Sequence, residues 1–175
     1  YAHTKGGLAF DGATQISNPE LKTNSALFGY ARVLDLWGMS GKFDAIVPYS
    51  WLSGTAQYKG EPVERKVDGL IDPRFRLSVN FYGAPALSLQ EFRQYKQDLI
   101  LGASVQVSVP VGQYDETRLV NLGSNRWYFK PELGASKAIG SWTLEGKLAA
   151  TIFTDNKDFF YGGRRSQDPI YSAQA

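Results

Sequence analysis

The dominant pattern along the chain is a long alternation of apolar and polar positions with period two. Over 98–111, Leu99, Leu101, Ala103, Val105, Val107, Val109 and Val111 alternate with Asp98, Ile100, Gly102, Ser104, Gln106, Ser108 and Pro110. Successive strand residues point to opposite faces, so one face is apolar and the other mostly small or polar. Over 74–82, Phe75, Leu77, Val79 and Phe81 alternate with Arg74, Arg76, Ser78, Asn80 and Tyr82. Trp127, Phe129, Pro131, Leu133 and Ala135 do so within 126–136, and Trp142, Leu144, Leu148, Ala150 and Ile152 within 142–153. Segments 25–36 and 43–57 are less regular, though Phe43, Ala45, Val47, Tyr49 and Trp51 still share a face. The pattern predicts an all-β antiparallel meander with strands near 25–37, 43–57, 73–82, 98–111, 126–138 and 142–154, and a partial strand at each end.

The connections alternate in kind. Gly38–Lys42 and Ile139–Ser141 read as tight turns, while Gly60–Asp72, Gln113–Asn125 and Asp155–Asp168 read as long polar loops. Gly83–Gln97 is intermediate, and Ser88 with Glu91 forms a capping box, which predicts one short helix near 88–96. Short turns at one end and long loops at the other are the rhythm of an up-and-down barrel.

The same string suits two solvents. A soluble barrel turns its apolar face inward, around an apolar ligand, whereas a membrane barrel turns it to lipid and lines its lumen with the polar face. Several runs reach the 9–11 residues or so that a strand needs to cross a bilayer. Trp37, Tyr49, Trp51, Phe81, Tyr82, Trp127, Phe129, Trp142 and Phe153 sit near strand ends, as interfacial girdles require. Both features favour the membrane. Pro48, Pro110 and Pro131 resist, because proline removes a ladder donor and a closed barrel has no free edge.

Composition narrows the chemistry. The 175 residues hold 19 Lys and Arg against 17 Asp and Glu, so the net charge of +2 argues against a nucleic-acid binder. Without cysteine there is no disulfide or thiolate site, and His3 is the one histidine, so neither a metal site nor a cofactor is expected. An enzyme is not expected either. A Ser–His pair would depend on His3, and Glu132 with Glu145 reads better as salt-bridge partners of Lys130 and Lys147 than as an acid–base pair. No run of about 18 apolar residues offers a transmembrane helix. The chain opens at Tyr1 with no basic-then-apolar leader and closes on 168–175, which reads as the opening of a strand.

Read together, several segments resemble the MetA-pathway phenol-degradation family of Gram-negative outer-membrane proteins. They are GLIDPRFRLSVNFYGAPALS (69–88), LGASVQVSVPVGQYD (101–115), LVNLGSNRWYFKPELGASKAIGSWTLE (119–145), and FTDNKDFF followed by QDP (153–169). YAHTKGGLAF (1–10) and YARVLDLWGMSGKFDAIVPYSWLSG (30–54) are similar as well. The resemblance implies a transmembrane β-barrel in the outer membrane that passes small, often aromatic, compounds. Members of that family are longer, so residues 1–175 are expected to be a single β-barrel domain truncated at both ends, part of a larger barrel. The expected partners are outer-membrane lipid and a small-molecule permeant, with no nucleic acid; nothing in the chain sets an oligomeric state.

The candidate lumen-lining residues are Arg74, Arg76, Asn80, Arg126, Lys130, Glu132, Glu145 and Lys147. One reading is a charged constriction that favours neutral or zwitterionic permeants. The other is a structural network in which neighbouring strands neutralise each other, Lys130 and Glu132 near Glu145 and Lys147. A plugged barrel whose long loops bind at the surface is a third function class. Asp155, Asn156 and Asp158 fit a turn better than a Ca²⁺ loop, and Arg164–Arg165 a solvated pair better than a lipopolysaccharide contact. NLGSNR at 121–126 is either a plain turn or a structured loop folded inward.

Overall fold

The computed structural model describes residues 1–7 and 16–175. Leu8–Phe10 of the opening motif lie outside the described residues. Eleven strands and one helical turn follow in order: β1 Ala2–Gly7, β2 Ile16–Leu36, β3 Met39–Tyr58, β4 Glu61–Leu70, β5 Arg74–Tyr82, α1 Leu89–Phe92, β6 Leu99–Ser108, β7 Tyr128–Ile139, β8 Trp142–Phe153, β9 Asn156–Phe159, β10 Gly163–Arg165 and β11 Ile170–Gln174. The main sheet runs β1-β2-β3-β5-β6-β7-β8-β11, every pair antiparallel, and does not close on itself; β9 and β10 form a separate hairpin.

The expected meander is present, and its strand limits shift in physically legible ways. β6 stops at Ser108 and β7 starts at Tyr128, so Pro110 and Arg126 lie in the loop between them. Pro110 therefore leaves no gap in a ladder. Pro48 stays inside β3, where its carbonyl accepts from Ile71 N–H at 2.9 Å. An antiparallel residue sends its N–H and C=O to the same neighbour, so the donor that proline lacks faces the break between β4 and β5. At Pro131 the β7–β8 pairing lapses over 130–131 and resumes in the same register at Glu132 opposite Ala149.

The expected loop over Gly60–Asp72 is a correction. A tight turn at Lys59 and Gly60, both at positive φ, starts β4, which pairs with the second half of β3. β5 then pairs with the first half of β3, so β4 and β5 are one line of chain broken at 71–73. β2 and β3 have 21 and 20 residues, about 65–70 Å at 3.3 Å each, roughly twice a hydrocarbon core of about 30 Å. Their far halves and β4 therefore project beyond any bilayer. Water can meet both faces there, which is why the charges of β4 (Glu61, Glu64, Arg65, Lys66 and Asp68) mimic a loop. Asp155–Asp168 likewise holds the β9–β10 hairpin rather than plain loop.

Connections separate by end. The Trp37–Gly38 turn, the helical link over 83–98 and the Gly140–Ser141 turn lie at one end, while 59–60, 109–127 and 154–169 lie at the other. The short helix carries the expected capping box. Ser88 Oγ accepts from Glu91 N–H, and the Glu91 carboxylate accepts from Ser88 N–H at 2.8 Å.

Side-chain burial is inverted relative to a water-soluble sheet. On β7, Phe129, Pro131, Leu133 and Ala135 are exposed, while Tyr128, Lys130, Glu132, Gly134 and Ser136 are half-buried. Leu133 and Leu148 are 60% and 64% exposed, against 13% for the Glu132 side chain. Leu52 is the one buried large apolar residue among the described residues, and Ser50 and Asn156 are the most deeply buried side chains. A hollow of about 440 Å³ lies on the polar face, lined by β5, β6, β7, β8 and β11 together, so the sheet curves toward that face. The convex side, with Leu77, Val105, Leu133 and Leu148, carries apolar surface that none of the described residues covers. Water disfavours such a surface by about 25 cal/mol per Å², and hydrocarbon does not. A soluble barrel would curve the other way. The girdle holds at Trp51, Phe81, Tyr82, Trp127, Phe129 and Trp142, all exposed. Phe153 is an exception: it sits opposite Tyr128 on the polar face.

Candidate functional site

Register places the charged residues in rows across the concave face. Asp44, Arg76, Gln106 and Lys130 are successive cross-strand partners, as are Lys42, Ser78, Ser104 and Glu132 in the adjoining row. Further toward the short-turn end, Gly102, Gly134, Lys147 and Gln174 make another row, and Ile100, Ser136 and Glu145 the next. Neighbouring strands lie about 4.8 Å apart, so partners in a row meet side by side.

The contacts follow these rows. Glu132 Oε1 lies 4.0 Å from Arg76 Nη2 and its Oε2 lies 3.6 Å from Lys130 Nζ. Ser104 Oγ donates to Glu132 Oε1 at 3.5 Å, and Gln106 Nε2 donates to the Tyr128 hydroxyl at 2.7 Å. Ser136 Oγ donates to Glu145 Oε1 at 3.3 Å and accepts from Gln97 Nε2 at 2.7 Å. Lys42 Nζ meets Asp44 at 3.2 Å.

Seven of the eight expected residues thus lie on strands of this face. Arg76, Asn80, Glu132, Glu145 and Lys147 line the hollow described above. Arg74 and Arg76 line a second hollow of about 440 Å³ with Lys42, Asp44 and Gln106. Lys130 faces the same way, bound to Glu132. Arg126 does not lie on a strand. Its guanidinium is packed 4.5 Å from the Phe153 ring centroid and donates to Gln167 Oε1 at 2.5 Å. Burial pulls its pKa below the usual arginine range, and Arg165 nearby adds to this. Lys130 and Glu132 stand one strand away from Glu145 and Lys147, but no ion pair joins the two sets among the described residues. Glu132 faces Ala149, Lys147 faces Gly134 and Glu145 faces Ser136, because the tight turn at 140–141 sets the register and separates the two charge pairs along the strands.

At the long-loop end the loops form a bonded cap. Asp72, buried, sits in the break between β4 and β5. Its Oδ1 accepts from Gly112 N–H at 2.9 Å, and its Oδ2 accepts from Ser124 N–H at 2.7 Å and Ser124 Oγ at 2.6 Å. Gly112 and Gly123 touch backbone to backbone: a Cβ on Gly123 would lie 2.8 Å from the Gly112 carbonyl group. Asn156, 1% exposed, joins the last loop to this one, donating to the Tyr114 hydroxyl at 2.8 Å and accepting from Asn125 Nδ2 at 3.0 Å. Asn121 closes the 115–121 turn through the Asp115 and Arg118 carbonyls. Thr117 donates to Asp115 through its side chain and its backbone N–H, holding that carboxyl below the ordinary range. NLGSNR is therefore a structured loop. Asp155 pairs with Arg164, and Asn156 Oδ1 accepts from Asp158 N–H at 3.0 Å; DNKD opens β9 rather than forming the expected turn, and Arg164 is tied to the start of its own hairpin.

Sequence reasoning missed Asp72, Gly112, Lys42 and Asp44, and read Asn156 only as a turn residue. The Asp–Pro pair at 72–73 and the Gly–x–Tyr run at 112–114 read as ordinary loop chemistry, and only register brings Lys42 and Asp44 beside Arg76.

The family model described as "Putative MetA-pathway of phenol degradation" matches residues 7–175. The chain belongs to this family. No curated protein matches it. Among solved structures, the crystal structure of the COG4313 outer membrane channel from Pseudomonas putida F1 superposes with a TM-score of 0.61 at 20% identity, over 98% of this chain and 60% of that one. The chain therefore spans about three fifths of that channel's length. The fold it shares with that protein is that of an outer-membrane β-barrel, as the family resemblance of its motifs implied. Its eight-stranded main path is an unclosed arc of such a barrel, with the charged rows on the concave side.

Proposed function

We propose that this family member is an outer-membrane channel that conducts small organic molecules along its charged face, with Arg74, Arg76, Asn80, Lys130, Glu132, Glu145 and Lys147 on the wall of the passage. The observation that carries the reading is the inversion of the sheet: charged rows border hollows on the concave side while large apolar side chains stand exposed on the convex side. In a barrel lumen, wall groups replace the water that a polar solute sheds, which makes such a wall conductive rather than merely tolerated. Arg126 belongs to the cap instead. It positions loop 109–127 through Phe153 and Gln167.

A second reading has its own support. The bonds of Asp72 and Asn156 fasten the two long loops to each other and to the sheet, which suits a plugged barrel that binds at its surface. Liposome swelling with the full-length protein separates the two. The channel reading expects entry of small sugars and phenols, faster when Asp72→Ala loosens the cap. Vesicles that stay sealed with both proteins would leave the plugged barrel as the better account.

A further inference from the structure

We infer that the second hollow, on β3, β5 and β6, is a binding site for small organic carboxylates. The inference takes its access route from the channel reading, and otherwise stands on the balance of charge at the site. Lys42, Arg74 and Arg76 line this hollow with one carboxylate, Asp44. Asp44 is already held by Lys42 at 3.2 Å. Arg74 makes no hydrogen bond or ion pair among the described residues. Arg76 reaches Glu132 only at 4.0 Å, its Nε is buried with no hydrogen-bond partner among the described residues, and Glu132 is shared with Lys130. Apart from the Lys42–Asp44 pair, Arg76 and Lys130 share one carboxylate, Glu132, and Arg74 has none among the described residues.

These cations converge. Arg76, Gln106 and Lys130 occupy one row, about 10 Å from end to end, and Arg74 stands two residues along the strand from Arg76, about 7 Å away. Cations held so close on a protein wall repel one another more than they would in water, and an anion between them relieves that repulsion. Two guanidinium groups offer planar forks of N–H donors, a geometry that carboxylate oxygens match in pairs. Gln106 spends its amide N–H on the Tyr128 oxygen at 2.7 Å, which leaves the Tyr128 hydroxyl hydrogen as a further donor. The strand amides are committed to their ladders, so no backbone nest of the kind that favours phosphate is present here. A hollow of about 440 Å³ is the size of a small-ligand pocket.

The test uses the full-length protein and two probes of like shape and opposite charge, benzoate and benzylamine. Calorimetry in detergent should show benzoate binding about tenfold tighter than benzylamine. Arg74→Gln should abolish that difference, since a charge-assisted hydrogen bond accounts for about a factor of ten. Arg74→Lys, which keeps the charge and loses the fork, should fall between. Lys147→Gln removes the same charge from the other hollow and should leave benzoate binding within about twofold of wild type. In planar bilayers under a salt gradient, wild type should prefer chloride to potassium, and Arg74→Gln should reduce that preference. Equal binding of the two probes, or equal loss with Lys147→Gln and Arg74→Gln, overturns the site. Benzoate binding in a protein that leaves membranes sealed would uphold the site and sink the channel, whereas conduction without discrimination between the probes would do the reverse.

Discussion

At the scale of single residues, the most consequential side chain is one that looks like loop filler. Asp72 gathers three donors from two distant parts of one loop, and Gly112 and Gly123 permit the approach because neither has a Cβ. Replacing Asp72 with alanine leaves Gly112 N–H and Ser124 N–H without their acceptor, and the Ser124 hydroxyl with only the Arg126 carbonyl. That should weaken the docking of 109–127 by about 2–3 kcal/mol. Hydrogen exchange of the folded protein in detergent should then speed up across 109–127 while β6 and β7 stay protected. Unchanged exchange would mean that other contacts carry the dock. Gly123→Ala should loosen the same segment by collision with Gly112. Asp72 escapes a sequence reading because an Asp–Pro pair is ordinary turn chemistry, and nothing local distinguishes a buried acceptor from a solvated one.

At the scale of elements, alternation was a reliable guide to the strands and a poor guide to where they leave the membrane. The cores of β5, β6, β7 and β8 are where period two places them, and each has an apolar side that faces away from the chain. Val105, midway along β6 and 47% exposed, pairs with Leu77 and Pro131 on that side. Val105→Arg should lower stability in lipid vesicles by about 2–4 kcal/mol. Its neighbour Ser104 points to the hollow, and Ser104→Arg should cost far less folding energy while narrowing the passage. Denaturant unfolding of both variants in vesicles checks this, and equal losses would contradict the assignment of faces. β4 went unread as a strand because beyond the bilayer both faces are wet, and alternation then has no cause. The helix was legible from Ser88 and Glu91 alone. Hydrogen bonds from the Ser88 side chain, then its backbone, hold the Glu91 carboxyl below its usual pKa. A folded pKa below the unfolded one means the cap contributes fully above the ordinary glutamate range and is lost as pH falls through the lowered value. Amide shifts of Glu91 and Phe92 should follow that titration, and shifts that move only near the ordinary glutamate pKa would remove the cap from the account.

At the scale of the whole molecule, the two faces differ in what they can touch. Spin labels at Leu77, Val105, Leu133 and Leu148 should be relaxed by oxygen dissolved in lipid, and labels at Ser104 and Gln106 by a water-soluble agent. The opposite pattern would restore the soluble barrel with an apolar interior. The network and passage readings of the charged face are not rivals in the geometry. Glu132 is neutralised by Arg76 and Lys130, while Arg74 and Lys147 have no carboxylate partner among the described residues.

The sequence by itself determined the strand cores, the meander, the tight turns, the capped helix and the shared face of the seven charged or polar residues that lie on strands. Each of these is local or periodic: a side chain's face follows from parity, a turn from its glycine, a cap from a spacing of three. Only the tertiary structure decided which face is concave, because period two is silent on curvature. Register, likewise, paired Glu132 with Arg76 rather than with Lys147, and brought Lys42 and Asp44 to the same wall. The cap was beyond sequence reasoning for the same physical reason. Asp72, Gly112, Ser124 and Asn156 are far apart along the chain, and their chemistry exists only once the broken line of β4 and β5 leaves a place for the loop to dock.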